Sequence, residues 1–193
     1  MYRRIDKEEA RAQIRKRLAA VDAESLMAAD KKIIATLLEQ TEFCHAATIL
    51  SYASFGREIS TKALNIEILT QGKRLCLPRI IGKGLMEVRL VSSFADLEPA
   101  AFGILTPKAD CPLMSRDDID LVLLPGLAFD EDLRRLGRGG GYYDRYMQGF
   151  SGKSVGLVRE MQLLHQLPYQ DWDIKADMLI TEARILLPPN NYS

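Results

Sequence analysis

The sequence predicts an α/β fold: a single three-layer domain with a mainly parallel sheet flanked by helices. Three observations carry that expectation. Short apolar runs alternate with longer segments of helical periodicity along the chain, the order that builds strand–helix–strand units. The apolar runs are continuous rather than alternating, as in "LVLL" at 121–124, which suits strands covered on both faces. A chain of 193 residues, 47% of them hydrophobic, is large enough to bury one core without a disulfide or metal staple.

"IDKEEARAQIRKRLAAV" reads as a first helix, over 6–20, with Asp6 and Glu9 as a capping-box-like pair. "DAESLMAADKKIIATLLEQ" reads as a second, with Leu26, Ala29, Ile33 and Leu37 on one stripe. "AATILSYAS" is a buried strand. "STKALNIEILTQG" is a helix stopped by Gly72. "KRLCLPRI" is a strand ending at Pro78, and the alternating "LMEVRLV" a more exposed one. "FGILTPKADCPL" reads as a surface loop. "IDLVLLPG" is the clearest strand, closed by Pro125-Gly126. A glycine-rich loop follows, and "GGYYDRYMQGF" opens a further helix. "SVGLV" and "DMLIT" complete the sheet.

Totals exclude several classes. The 26 Lys+Arg balance 26 Asp+Glu, so nothing general favours nucleic acid or an anionic membrane, and any anion site is local. Cys44, Cys76 and Cys111 are scattered, without CxxC spacing, which argues against a disulfide framework or a zinc site and for a reducing cytoplasm. The N-terminal residues lack the apolar segment of a secretory signal, and no run reaches the ~18 apolar residues of a membrane span. The expectation is a cytoplasmic protein, a monomer or weak homodimer, with small-molecule partners.

The chemistry concentrates in "RRLGRGGGYYDR" (134–145). In open parallel sheets, ligands bind beyond the carboxyl ends of the strands. Glycines let backbone N–H groups approach an oxyanion. Arg135 and Arg138 have the geometry to pair with phosphate bidentately, and Asp144 stands where a carboxylate would hold Mg²⁺ beside phosphate oxygens. Neither the GxxxxGK[ST] nor the GxGxxG spacing is present. Composition alone therefore leaves three readings: a phosphate loop, a mobile surface loop with solvated arginines, or an RGG-type RNA contact disfavoured by the single copy and the neutral charge.

A longer comparison narrows these. "DLVLLPGLAFDEDLRRLGRGGGYYDRYM" (120–147) resembles the signature of the 5-formyltetrahydrofolate cyclo-ligase family, also called methenyltetrahydrofolate synthetases. Lys7 and Arg11 in "KxxxR", "REIST" (57–61), "LCLPR" (75–79), "VGLVREMQ" (155–162) and "WDIKADMLIT" (172–181) agree in the same order, so the resemblance spans nearly the whole chain. One place departs: Leu133 stands where the family usually has glycine.

The resemblance implies an enzyme that converts 5-formyltetrahydrofolate to 5,10-methenyltetrahydrofolate using ATP and Mg²⁺, by phosphorylating the formyl oxygen and closing the ring through N10. No Ser/His or Cys/His nucleophile is required, so His45 and His165 are expected in surface or packing roles. By resemblance the ATP site comprises Lys7, Arg11, Arg135, Leu136, Gly137, Arg138, Gly139, Gly140, Gly141, Tyr142 and Tyr143, with Arg15 a weaker candidate on the same helix face. The folate site comprises Ala53, Glu58, Arg138, Gly139, Gly140, Gly141 and Tyr142, with Phe55 nearby. Asp144 and Asp173 match the Mg²⁺ aspartates, although sequence alone makes Asp173 a turn residue. Asp130 is read as structural, and Trp172 as either a folate neighbour or core.

Overall fold

A computed structural model describes residues 6–189; residues 1–5 and 190–193 lie outside it. Five helices run over Lys7–Ala19 (α1), Ala23–Leu38 (α2), Thr41–His45 (α3), Lys62–Thr70 (α4) and Tyr142–Tyr146 (α5). Twelve strands follow in chain order: Thr48–Leu50 (β1), Arg74–Gly82 (β2), Leu85–Val91 (β3), Leu97–Pro99 (β4), Leu105–Pro107 (β5), Leu121–Leu124 (β6), Ala128–Asp130 (β7), Arg135–Leu136 (β8), Lys153–Leu157 (β9), Leu163–Leu164 (β10), Met178–Ile180 (β11) and Ile185–Leu186 (β12).

Seven of the strands form the main sheet, in the order β12-β11-β9-β6-β1-β2-β3. The five inner strands are parallel, and β12 and β3 close the edges antiparallel. The architecture is thus mixed α/β with a large, mostly parallel sheet. The continuous apolar run at β6 has its reason here: Leu121 and Leu123 pack into one core cluster, Val122 and Leu124 into another. Each such fully buried side chain contributes roughly 1.5–3 kcal/mol.

Helix α1 begins at an Asp6 cap, whose carboxylate accepts from the Glu9 backbone N–H at 2.8 Å. Its buried stripe of Ala10, Ile14 and Leu18 packs on Leu127, Ala128, Leu136 and Leu167. Helix α2 starts at Asp22, which accepts from Ser25 N–H at 2.7 Å. The expected stripe needs one correction: Ala29 is half-buried, and Asp30 takes the buried place beside Leu26, Ile33 and Leu37. That carboxylate is buried because it has partners, described below.

Two further expectations change. Strand β2 does not end at Pro78 but continues to Gly82. Its pairing with β1 stops at Cys76, so on that side no ladder partner meets the missing N–H. The stretch read as a surface loop contains β5, which forms a ribbon with β4. Gly72 does stop α4, at φ +72°.

Candidate functional site

The chain reverses direction across the sheet at β1. It moves first to β2 on one side, then crosses to β6 on the other. The carboxyl ends of β1 and β6 therefore flank a topological switch point, the place where open α/β sheets leave a crevice.

From β1 the chain enters a stretch without regular structure, 51–61. Its base is tied down by buried polar contacts: Ser51 Oγ donates to Asn65 Oδ1 at 2.6 Å, and Thr61 Oγ1 to the Tyr52 carbonyl at 2.5 Å. Glu58 folds back so that its Oε2 accepts from Phe55 N–H at 2.9 Å. Its other oxygen, Oε1, accepts from Arg138 Nε at 2.9 Å. Arg57, next to Glu58 in sequence, turns away and donates to the carbonyls of Leu18, in α1, and Val21, just beyond it. Ala53 and Phe55 are half-buried in the same stretch, and the Arg138 guanidinium lies 5.6 Å from the Phe55 ring centroid.

From β6 the chain passes Pro125-Gly126 into the β7–β8 hairpin. Asp130 organises the hairpin: fully buried, it accepts from the backbone N–H groups of Asp132, Arg134 and Leu167. Leu133 sits at the turn with φ +64°, the one described non-glycine residue in the left-handed region. This is why a glycine suits the position. Leu133 is held there because its side chain is 2% exposed in the core and its N–H and C=O are both paired, with the Asp130 carbonyl and the Ala176 N–H.

The glycine loop then runs into α5. Gly139 and Gly141 have φ +109° and +65°, so both need the freedom that glycine supplies. Arg145 fastens the loop, donating to the Gly140 carbonyl and, from Nε, to the Gly84 carbonyl at 2.7 Å.

Helix α1 closes the other wall. Lys7 Nζ meets the Asp173 oxygens at 2.7 and 2.5 Å, and Arg11 Nε donates to the Gly137 carbonyl at 3.0 Å. Arg135, buried, donates to the Pro125 carbonyl at 2.7 Å and to Asp144 Oδ1 at 3.0 Å. Together these line a cleft of ≈ 440 Å³ that brings Lys7, Arg11, Arg135, Leu136, Gly137, Gly139–Gly141, Asp144 and Asp173 to one surface. Four cations, Arg145 included, face two carboxylates there. A second cleft of ≈ 240 Å³ is lined by Glu58, Arg138, Arg15 and Leu127 among others.

Other candidates fall elsewhere. Tyr143 is buried beneath the loop, in the core cluster with Leu50 and Leu124; burial pushes its phenol well above the usual range. Tyr142 is half-buried and, like Tyr143, lines neither cleft. Trp172 is exposed at the rim of the larger cleft. Both histidines are exposed, and His165 pairs with Glu131 at 3.0 Å. Asp173 also fills the turn role read from sequence, its Oδ2 accepting from Gln170 N–H at 2.7 Å. Sequence reasoning missed Arg145, Gln148 and Gln170 in the larger cleft and Gln162 in the smaller. Arg145 closes the very motif that drew attention; the others carry no spacing signal.

The donor set bears on metal binding. Among the described residues no three His, Cys, Asp or Glu side chains cluster, so these residues alone form no cage for a cation. Asp144 and Asp173 both open on the larger cleft. Two carboxylates of this kind suit Mg²⁺ where phosphate oxygens and water complete an octahedron.

A switch-point crevice lined by positive-φ glycines and converging cations marks this α/β protein. Comparison with known proteins gives the family. Residues 3–182 match the model of the 5-formyltetrahydrofolate cyclo-ligase family, and the chain belongs to that family. It is 33% identical to the 5-formyltetrahydrofolate cyclo-ligase of Haemophilus influenzae, over 87% of this chain and 93% of that protein. It is 30% identical to that of Mus musculus, over 89% and 91%. Among solved structures, the Aquifex aeolicus 5,10-methenyltetrahydrofolate synthetase superposes with a TM-score of 0.87 at 31% identity, covering 97% of this chain and 95% of that one. Among the described residues no helix is long and apolar enough to cross a membrane.

Proposed function

We propose that this protein is a cytoplasmic, ATP- and Mg²⁺-dependent cyclo-ligase that converts 5-formyltetrahydrofolate to 5,10-methenyltetrahydrofolate with release of ADP and phosphate. One observation carries the reading beyond family membership: Arg138, from the glycine loop, meets Glu58, from the β1 loop, at 2.9 Å across the switch point. Both residues line the smaller cleft, while Gly137 and Gly139, on either side of Arg138, line the larger one.

In this reading the larger cleft takes the triphosphate. Lys7, Arg11 and Arg135 supply charge, and Gly137 and Gly139–Gly141 supply close backbone approach. The smaller cleft takes the reduced folate, with Glu58 accepting from the donor-rich amino-pyrimidine edge; Ala53, in the same loop, lines neither cleft. Asp144 and Asp173 would hold Mg²⁺, which when bound would supply charge neutralisation at the transferring phosphoryl group.

The formyl oxygen is a poor leaving group as hydroxide. Phosphorylation converts it into one that departs as phosphate once N10 has attacked the formyl carbon. For such a transfer the side chains align the two substrates and offset charge. Arg138 stands where both substrates meet, and so is the group to stabilise the phosphorylated oxygen. Ligand arrival is an exchange of partners: Arg135 leaves Asp144 and Lys7 leaves Asp173 for phosphate oxygens, and the released carboxylates become available to the cation.

The test is direct. Protein, MgATP and 5-formyltetrahydrofolate are mixed and the near-UV absorbance of the methenyl product is followed. Folded protein that gives no rise sinks the reading; a rise independent of ATP sinks the mechanism.

A further inference from the structure

We propose that the buried Asp30–Arg159 pair is the positioning device for Glu58, and through Glu58 for the reduced folate. This deepens the functional reading above and rests on it.

Arg159 follows β9 and is 2% exposed. A guanidinium has five N–H donors, and all five are used. Nε and Nη2 grip Asp30 Oδ1 and Oδ2 at 2.7 and 3.0 Å. The remaining bonds reach the Arg57 carbonyl at 2.9 Å, the Glu58 carbonyl at 3.3 Å and Gln162 Oε1 at 3.3 Å. Asp30 in turn accepts from Ser60 N–H at 3.0 Å. The pair therefore holds residues 57, 58 and 60 of a stretch that has no helix or strand of its own. Gln162 extends the frame, donating from Nε2 to the Leu127 carbonyl at 3.0 Å. Arg57, Glu58, Leu127 and Gln162 are all walls of the smaller cleft.

The chemistry of the pair favours this role over plain stability. A buried ion pair is often no better than apolar side chains of the same volume, so its presence is weak evidence of stabilisation. What apolar side chains cannot do is bond consecutive carbonyls. With every donor committed and the side chain buried, Arg159 touches no substrate; it acts by fixing the backbone from which Glu58 projects. Lysine, with three donors and no planar fork, reproduces part of the set.

Three proteins decide the matter: the wild type, Arg159→Lys, and the double variant Asp30→Leu/Arg159→Met, which leaves no unpaired buried charge. Each is measured for its thermal midpoint, for Ser60 amide exchange, and for equilibrium Kd of 5-formyltetrahydrofolate and of a non-hydrolysable ATP analogue. The double variant is expected to stay folded, to exchange the Ser60 amide faster, and to bind the folate about tenfold to a hundredfold more weakly. Its affinity for the ATP analogue should hold within about twofold, the scale of one uninvolved contact. Arg159→Lys should fall between the two on folate alone. If the double variant does not fold, the lysine variant carries the same comparison. An unchanged folate Kd, or equal weakening of both ligands, overturns the proposal while leaving the functional reading intact. A wild type that binds the folate but does not turn it over overturns the functional reading alone, and one that binds no folate overturns both.

Discussion

Arg138 and Glu58 lie 80 positions apart, yet their side chains meet at 2.9 Å on the wall of the smaller cleft. The arginine is half-exposed, and exposed pairs of this kind contribute ~0–1 kcal/mol. Arg138→Ala should therefore leave the thermal midpoint nearly unchanged. Turnover should fall by about 10²-fold or more, the usual loss when one preorganised donor is removed from a charged transition state. Steady-state rates beside a melting curve check this, and a variant that unfolds would show the loop to be structural instead.

Asp144 and Asp173 each already hold a cation, at 3.0 and 2.5 Å. Mg²⁺ is thus expected to bind weakly to the free protein and well only together with the triphosphate. Calorimetric titration with and without a non-hydrolysable ATP analogue separates the two cases. Millimolar-range or weaker binding alone, about −4 kcal/mol or less, fits. Tight binding without nucleotide would contradict the assignment.

Leu133 gives an unusual order of substitutions. Alanine there keeps the left-handed backbone strain while losing a buried side chain, a change that costs ~2–5 kcal/mol in cores. Glycine loses the same contacts but relieves strain of roughly 1–2 kcal/mol. Leu133→Gly should therefore be less destabilising than Leu133→Ala, the reverse of the helix order. Urea denaturation of both variants reads the sign.

Burial pushes the Cys76 thiol from 9.0 up to about 12, and the Tyr146 phenol from 10.0 up to about 12. Both groups bind their protons more tightly when folded. Their contribution to stability is complete below about pH 9 and is lost as pH rises towards about 12. Stability should fall over that window, and less steeply in Cys76→Val. At pH 8 a thiol reagent should modify exposed Cys44 and spare buried Cys76; reaction at Cys76 in folded protein would refute its burial.

The sequence made the sheet legible where physics left a strong local signal. The unbroken "LVLL" run told of two buried faces because Leu121 and Val122 do point into separate clusters. Gly72 announced a helix end through its backbone freedom. Pairings at long range left no such trace. The stripe was read through Ala29 rather than Asp30 because the partner that lets Asp30 be buried, Arg159, is 129 residues away. Pro78 looked like a strand end because the early halt of β1 cannot be read from β2. Strands of two or three residues, such as β8 and β10, are too short to show a period. In the candidate site, Lys7 and Arg11 were named only through the family resemblance, since an i, i+4 pair of helix charges carries no ligand signal of its own, and the fold brings them to Asp173 and Gly137.

The packing of α1 has a consequence for biosynthesis. Its apolar stripe, Ala10, Ile14 and Leu18, finds its partners on Leu127, Leu136 and Leu167. Those residues leave the ribosome about 5–30 s later at ordinary translation rates. A 13-residue helix is marginal by itself in water. The nascent chain must therefore carry this segment unpaired until most of the sheet has been made, so the earliest made of the described helices is among the last to dock.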